Sequence, residues 1–269
     1  MQQALQARNG DVRLEYEVIG DGEPVLLVQG LGYTRHGWGE LPRLLAESFS
    51  VVYYDNRGVG RSDVPPGPYT VRGMAEDAIA VLDAAGIDRT HVVGASLGGM
   101  VAQEVALGRP ERVDRLVLAC TTPGGARAYP LPERSLRVFA QFALLPPEEA
   151  LLLAVKNSLA DGTVAARPEL VETVYRYRLE NAPPLDGWQA QLAAGSAHDA
   201  HDRLAAIAAP TLVLTGTADN VIDVRNSELL AEAIPGARLE YLGGAGHIFF
   251  WEEPERAARA IREFLADSR

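Results

Sequence analysis

Gly94-Ala95-Ser96-Leu97-Gly98-Gly99 follows the apolar run His91-Val92-Val93 and opens into Met100-Val101-Ala102-Gln103-Glu104-Val105-Ala106-Leu107. The run before it reads as a buried strand and the stretch after it as a helix. A serine set between glycines at a strand-to-helix turn is the pattern of a nucleophile elbow. The turn is so tight that the serine takes a strained backbone, and only small neighbours fit around it. Gly94, Ala95, Gly98 and Gly99 are then steric requirements of the bend. The hydroxyl is pushed out at the top of a sheet, beside the positive end of a helix. A bare G-x-S-x-G also arises by chance as an ordinary glycine-rich turn, and the flanking strand and helix set this one apart.

Working outward, short Val/Leu-rich runs alternate with helical patterns. Residues 12–18, 25–28, 51–54, 91–93, 113–118, 211–214 and 239–241 read as strands. Residues 37–49, 71–85, 97–107, 224–233 and 254–266 read as helices, with Leu44, Leu45, Ile79 and Leu82 facing the sheet. Near-continuous apolar strands between helices predict an α/β fold whose parallel sheet is covered on both faces. The alternation stops between 122 and 206, where no strand pattern is visible and Pro146-Pro147 and Pro183-Pro184 cut the chain into helices. Residues 1–121 and 207–269 are therefore expected to form the core. Residues 122–206 form an all-helical insertion, either a further structural layer or a cap over the sheet's C-terminal edge. Its start, directly after a strand that ends beside the elbow, favours the cap.

At 269 residues and 47% hydrophobic, the chain buries a full core. A net charge of −11 argues against nucleic acid or an anionic membrane as partner. Met1 to Asn9 lacks a basic segment followed by an apolar stretch, so no signal peptide is expected. No apolar run reaches the length of a membrane span. The lone Cys120 follows Leu116-Val117-Leu118-Ala119 and reads as a buried thiol, which fits a reducing, cytoplasmic setting.

An activated serine needs a base, and the base an orienting acid. His247 lies in Gly243-Gly244-Ala245-Gly246-His247, between the last strand and the final helix, and is the expected base. His91 begins the elbow strand and reads as structural. His198 and His201, three apart, share a helix face, but no third ligand lies nearby, so they read as helix-end residues and no metal is expected. Asp219 follows the strand at 211–214, where catalytic groups gather in open parallel sheets. Asp223 competes with it but is better placed to cap the next helix. An oxyanion hole, worth about 3 kcal/mol per donor, completes the set. One donor is the N–H of Leu97, the residue after the nucleophile. The other comes from Gln29-Gly30-Leu31-Gly32-Tyr33, with Leu31 preferred over Gly30 or Gly32.

With these residues in hand, the chain resembles the α/β-hydrolases with a helical cap, a group of esterases, lactonases and peroxidase-like enzymes. The order Ser96, Asp219, His247 is that of the group. Asp55-Asn56-Arg57-Gly58-Val59-Gly60-Arg61-Ser62 is similar to its D-x-R-G-x-G-x-S turn, and Ala209-Pro210-Thr211-Leu212-Val213-Leu214 to the strand before its acid. The resemblance implies a mostly parallel sheet of about eight strands, no cofactor, and a structural turn in which Arg57 makes a loop-pinning ion pair. One departure stands out, since Gln29-Gly30 occupies the place of the family's usual His-Gly.

The chemistry implied is acyl transfer on a small ester or lactone. The expected pocket holds Gln29, Tyr33, Trp38, Phe249, Phe250, Trp251 and, from the insertion, Phe139 and Phe142. Cleavage of a carbon–carbon bond in a dienoic diketone, peracid formation as in cofactor-free haloperoxidases, and ligand reception without turnover are the alternatives. Dehalogenase and epoxide hydrolase relatives carry Asp at the elbow, where this chain has Ser96.

Overall fold

The computed structural model describes residues 5–142 and 144–267; residues 1–4, the start of the stretch in which no signal peptide is expected, lie outside them. The strands are β1 (Leu5–Asn9), β2 (Val12–Ile19), β3 (Glu23–Val28), β4 (Phe49–Tyr54), β5 (Thr90–Ala95), β6 (Val113–Ala119), β7 (Thr211–Gly216) and β8 (Arg238–Leu242). They form one sheet in the order β1-β2-β4-β3-β5-β6-β7-β8. β1 and β2 join antiparallel, and every pair from β4 to β8 is parallel. Every residue of β5 and β7 is buried, as a sheet sandwiched between helices requires.

The order reverses between β3 and β5. From β3 the chain moves one way to β4, and from β5 it moves the other way through β6, β7 and β8. The loops leaving β3 and β5 therefore diverge and open a crevice at the sheet's C-terminal edge, the place where doubly wound sheets bind ligands. Ser96 and Leu31 sit on these two loops.

Helices α1 (Leu41–Leu45), α2 (Val71–Ala84) and α3 (Leu97–Gly108) belong to the first half of the chain. The insertion supplies α4 (Glu133–Gln141), α5 (Pro147–Ser158), α6 (Asp161–Ala166), α7 (Pro168–Glu180) and α8 (Leu185–Ser196); α9 (Arg225–Ala233), α10 (Phe249–Glu252) and α11 (Pro254–Leu265) complete the set. One core lies against α2, α3 and α9, and the other against α1 and α11. The second core also takes in Val155, Leu159, Leu170 and Val174 of the insertion. Leu44, Leu45, Ile79 and Leu82 are all buried against the sheet.

Three differences from the sequence pattern have local causes. The helix expected over 37–49 is a short turn of 3-10 helix at Arg35–Trp38 followed by α1, because Gly39 enters the left-handed region at φ 59°. β1 was not visible because its Leu-Gln-Ala-Arg-Asn lies on the sheet's edge with only Ala7 buried. α10 is a single turn, set off from α11 by Glu253, which leaves the helical conformation at φ −135° and ψ 55° just before Pro254.

The Asp55–Ser62 turn is held by a buried ionic knot. Arg35 pairs with Asp55 at 2.5 Å, Glu15 at 2.8 Å and Glu17 at 2.8 Å. Asp55 also accepts the backbone N–H groups of Arg35 at 2.7 Å and Arg61 at 2.9 Å. Arg57 grips Asp77 through two bonds of 2.5 and 2.6 Å, the pinning pair expected of this turn.

Candidate active site

Ser96 sits between β5 and α3 with φ 55° and ψ −120°. Among the described residues, only Ser96 and Cys120 have positive φ without being glycine. The neighbouring glycines explain how the bend is possible. A Cβ on Gly94 would stand 2.2 Å from the Gly98 carbonyl oxygen, and one on Gly98 would stand 1.9 Å from the Val28 carbonyl oxygen. A Cβ on Gly99 would meet the side chain of Thr121, whose hydroxyl donates to the Ser96 carbonyl at 2.7 Å. Gly98→Ala is expected to lose at least about 3 kcal/mol of stability, because the atoms in the way are backbone of Val28 and Gln29, which cannot swing aside as a side chain could. Gly108→Ala, at the open end of the same helix with nothing within 4 Å, is the control. Equal urea midpoints for the two variants would refute the steric account.

His247 and Asp219 meet as the order along the chain requires. His247 Nδ1 lies 2.8 Å from Asp219 Oδ2, and the Asp219 carboxylate is wholly buried. The other oxygen, Oδ1, accepts the N–H groups of Val221 at 2.7 Å and Ile222 at 3.0 Å, which fixes the carboxylate plane. Asp223 is engaged elsewhere, with the Arg225 guanidinium at 2.6 Å and the Arg225 N–H at 3.0 Å. Its carboxyl is held below the usual range chiefly by the Arg225 side chain. Ser96 and His247 face one cavity without a direct hydrogen bond between their side chains among the described residues, a common state of a resting site.

The loop after β3 spends most of its donors. The Gly30 N–H donates to Gln29 Oε1 at 2.7 Å, Gly32 to Gln191 Oε1 at 2.9 Å, and Tyr33 to the Gly30 carbonyl at 3.3 Å. Leu31 keeps the loop N–H for which the described residues offer no acceptor. Leu97 is the first residue of α3, and a first-turn N–H has no partner inside its helix. Leu31 and Leu97 border one cavity together with Ser96. Gln29 thus folds its amide oxygen onto its own loop, while its Nε2 is buried without a hydrogen-bond partner among the described residues.

Ser96 stands where two chambers meet. The first, of about 150 Å³, is lined by His247, Gln29, Tyr33, Phe139, Phe142 and Phe250, together with Arg178 and Trp188. The second, of about 480 Å³, runs past Leu97, Met100, Tyr129, Leu131 and Leu192. Leu31, Ser96, Phe139 and Val221 border both.

Three of the aromatics expected to line the pocket lie off its walls. Trp38 is 1% exposed, packed under Phe250 with ring centres 5.1 Å apart. Phe249, also 1% exposed, points into the core beside Phe250. Trp251 turns away to donate to the Gly37 carbonyl at 2.7 Å and packs on Tyr177. Among residues the sequence did not single out, Arg178 on α7 and Trp188 on α8 join the first chamber. Arg178 donates to the Gly32 carbonyl at 2.9 Å and covers the Tyr33 ring at 4.1 Å, with no carboxylate partner among the described residues.

Cys120 is buried, as expected, and forms part of the first chamber's wall. Burial, reinforced by nearby Asp219, pushes its thiol well above the ordinary range. His198 departs from expectation, because it is buried against Glu104 at 3.6 Å instead of solvating a helix end. Burial lowers its pKa to about 4. Among the described residues, no group of three or more His, Cys, Asp or Glu side chains is arranged to hold a metal ion. No helix of the described residues is long and apolar enough to cross a membrane.

The model of the alpha/beta hydrolase fold family matches residues 23–254. Among characterised sequences, the chain is 33% identical over 255 residues to "Putative carbamate hydrolase RutD" of Azorhizobium caulinodans, covering 93% of each. It is 30% identical over 272 residues to a 2-hydroxy-6-oxononadienedioate/2-hydroxy-6-oxononatrienedioate hydrolase of Pseudomonas putida, covering 95% of this chain and 92% of that one. Among solved structures, a thermophilic esterase from Thermogutta terrifontis superimposes with a TM-score of 0.83 at 31% identity, covering 98% of both chains.

Proposed function

The chain belongs to the alpha/beta hydrolase fold family and is a hydrolase, and from that premise we propose that it cleaves a carboxylic ester or lactone by acyl transfer to Ser96. The observation that carries this reading is the 2.8 Å bond between buried Asp219 and His247, whose imidazole lines the same chamber as Ser96. Ser96 Oγ attacks the carbonyl carbon as His247 Nε2 takes its proton, and Asp219 holds the imidazole in the tautomer that leaves Nε2 free. The Leu97 and Leu31 N–H groups receive the negative charge that develops on the carbonyl oxygen. The carbon–oxygen bond to the leaving group then breaks, and His247 returns the proton to the departing alkoxide. Water, deprotonated by His247, attacks the acyl-enzyme and releases the acid.

The two chambers divide such a substrate. The base must reach the leaving group's oxygen, and His247 lines only the first chamber, so the leaving group occupies it. The acyl chain then extends into the second chamber along Leu97, Met100 and Leu192. Arg178, a cation without a carboxylate partner among the described residues on a largely apolar wall, suits a leaving group that carries an anion.

Arg178 also favours a second reading, hydrolysis of a carbon–carbon bond in a carboxylated diketone, the substrate type named for the Pseudomonas putida relative. The test uses esters of one acyl group whose leaving groups differ only by a carboxylate. Arg178→Gln is expected to raise KM about 10-fold or more for the anionic ester and leave the neutral one within twofold. Equal losses on both esters would refute the anion site. Faster turnover of a dienoic diketone than of either ester would establish the second reading in place of the first.

A further inference from the structure

Glu252, at the end of α10, is 3% exposed, and its carboxylate has no cationic partner among the described residues. A buried carboxylate is costly unless strongly hydrogen-bonded. This one is bonded at both oxygens to backbone donors. Oε2 accepts the N–H of Gly246 at 2.5 Å, and Oε1 accepts the N–H of Ala160 at 2.6 Å. Gly246 immediately precedes His247, and Ala160 lies between α5 and α6 of the helical insertion. On the other side of His247, the Ile248 N–H donates to the Ser158 carbonyl at 3.1 Å.

The two segments press together closely. A Cβ on Gly246 would stand 2.5 Å from the Ala160 nitrogen and 2.7 Å from the Leu159 carbonyl carbon. The loop of the acid is docked on the same insertion, since the Ser135 hydroxyl donates to the Asn220 carbonyl at 2.6 Å. We propose that Glu252 is a positioning residue: it clamps residues 158–160 to the 246–248 loop and so holds the His247 imidazole in line with Ser96. This inference rests on the reading of His247 as base. It also makes the insertion part of the scaffold of the base, not solely a cover over the pocket.

Replacing the carboxylate separates positioning from bulk. In Glu252→Gln one backbone N–H meets an NH2 group instead of an oxygen, whichever way the amide turns. Turnover of a p-nitrophenyl ester by Glu252→Gln is expected to fall about 10- to 100-fold in kcat, with KM within about twofold, because a small displacement of the base costs rate more than binding. Glu252→Ala leaves a space that formate fits, and added formate is expected to restore part of the lost kcat. A Glu252→Gln kcat within twofold of wild type, with Ser96→Ala inactive, overturns the clamp. So does a folded Glu252→Ala whose kcat formate leaves unchanged.

If Ser96→Ala remains active, the acyl-serine reading fails instead, and amide hydrogen exchange still judges the clamp. Gly246 and Ala160 are expected to lose protection together in Glu252→Gln, and unchanged protection would overturn it.

Discussion

Ser96→Ala is expected to lower kcat on a p-nitrophenyl ester by about 10⁴- to 10⁶-fold, with KM little changed. In the proposed acyl transfer the hydroxyl is the group that forms the bond to carbon. Cys120, another nucleophile on the chamber wall, has its thiol pushed up by burial and by Asp219, so it stays protonated at neutral pH. His247→Ala should cost nearly as much as Ser96→Ala. The double variant should then be no worse than either single one, because serine and base act as one unit. Losses that multiply in the double variant would mean that the two residues serve separate steps. Retention of wild-type kcat by Ser96→Ala would end the acyl-serine mechanism outright.

Arg35→Met should destabilise the fold by about 3–5 kcal/mol at neutral pH, because it leaves buried carboxylates without their cation. Side-chain exposure is 6% for Arg35, 9% for Glu15, 16% for Glu17 and zero for Asp55. The pH dependence carries the sharper test. In the wild type, burial alone would raise the Glu17 carboxyl, but bonds from Tyr53 and Arg35 outweigh it and hold the group below its ordinary 4.5. Its stabilisation is thus complete above 4.5 and is lost as pH falls through the lower folded value. In Arg35→Met the Glu17 carboxyl loses the Arg35 bond that helps to lower it, so the variant has less stability to lose as pH falls through that range. The stability gap between the two proteins should shrink as pH drops. A gap that widens in acid, measured by urea unfolding across that range, would rule out this account.

The parts of the site that could be read from the sequence are those set by short-range sterics. Gly94, Gly98 and Gly99 declare the elbow because a Cβ at any of them would strike backbone or the Thr121 side chain. Asp219 could be preferred to Asp223 because its place at a strand end and the other's place before a helix differ within four residues. The pocket aromatics were harder. Phe249 and Phe250 are adjacent, yet one enters the core and the other the chamber, and which does which depends on how α10 rolls against the sheet. Trp38 carries no pattern that separates a core ring from a pocket ring. Arg178 looks like one more charge on a helix, and only the return of α7 over the loop after β3 brings it to Tyr33. Glu252 was equally silent, because its partners are backbone groups that carry no side-chain signature.

The close fit between Gly246 and the 158–160 segment bears on how such a protein can be recombined. A graft that exchanges 122–206 for the insertion of a relative would cut between partners, separating Ala160 from Glu252 and Ser158 from Ile248. The unit that can be transplanted whole consists of two stretches far apart along the chain, the insertion and residues 246–252. Chimeras that carry both should keep a working base, whereas those that carry the insertion alone inherit a pocket without a properly seated histidine.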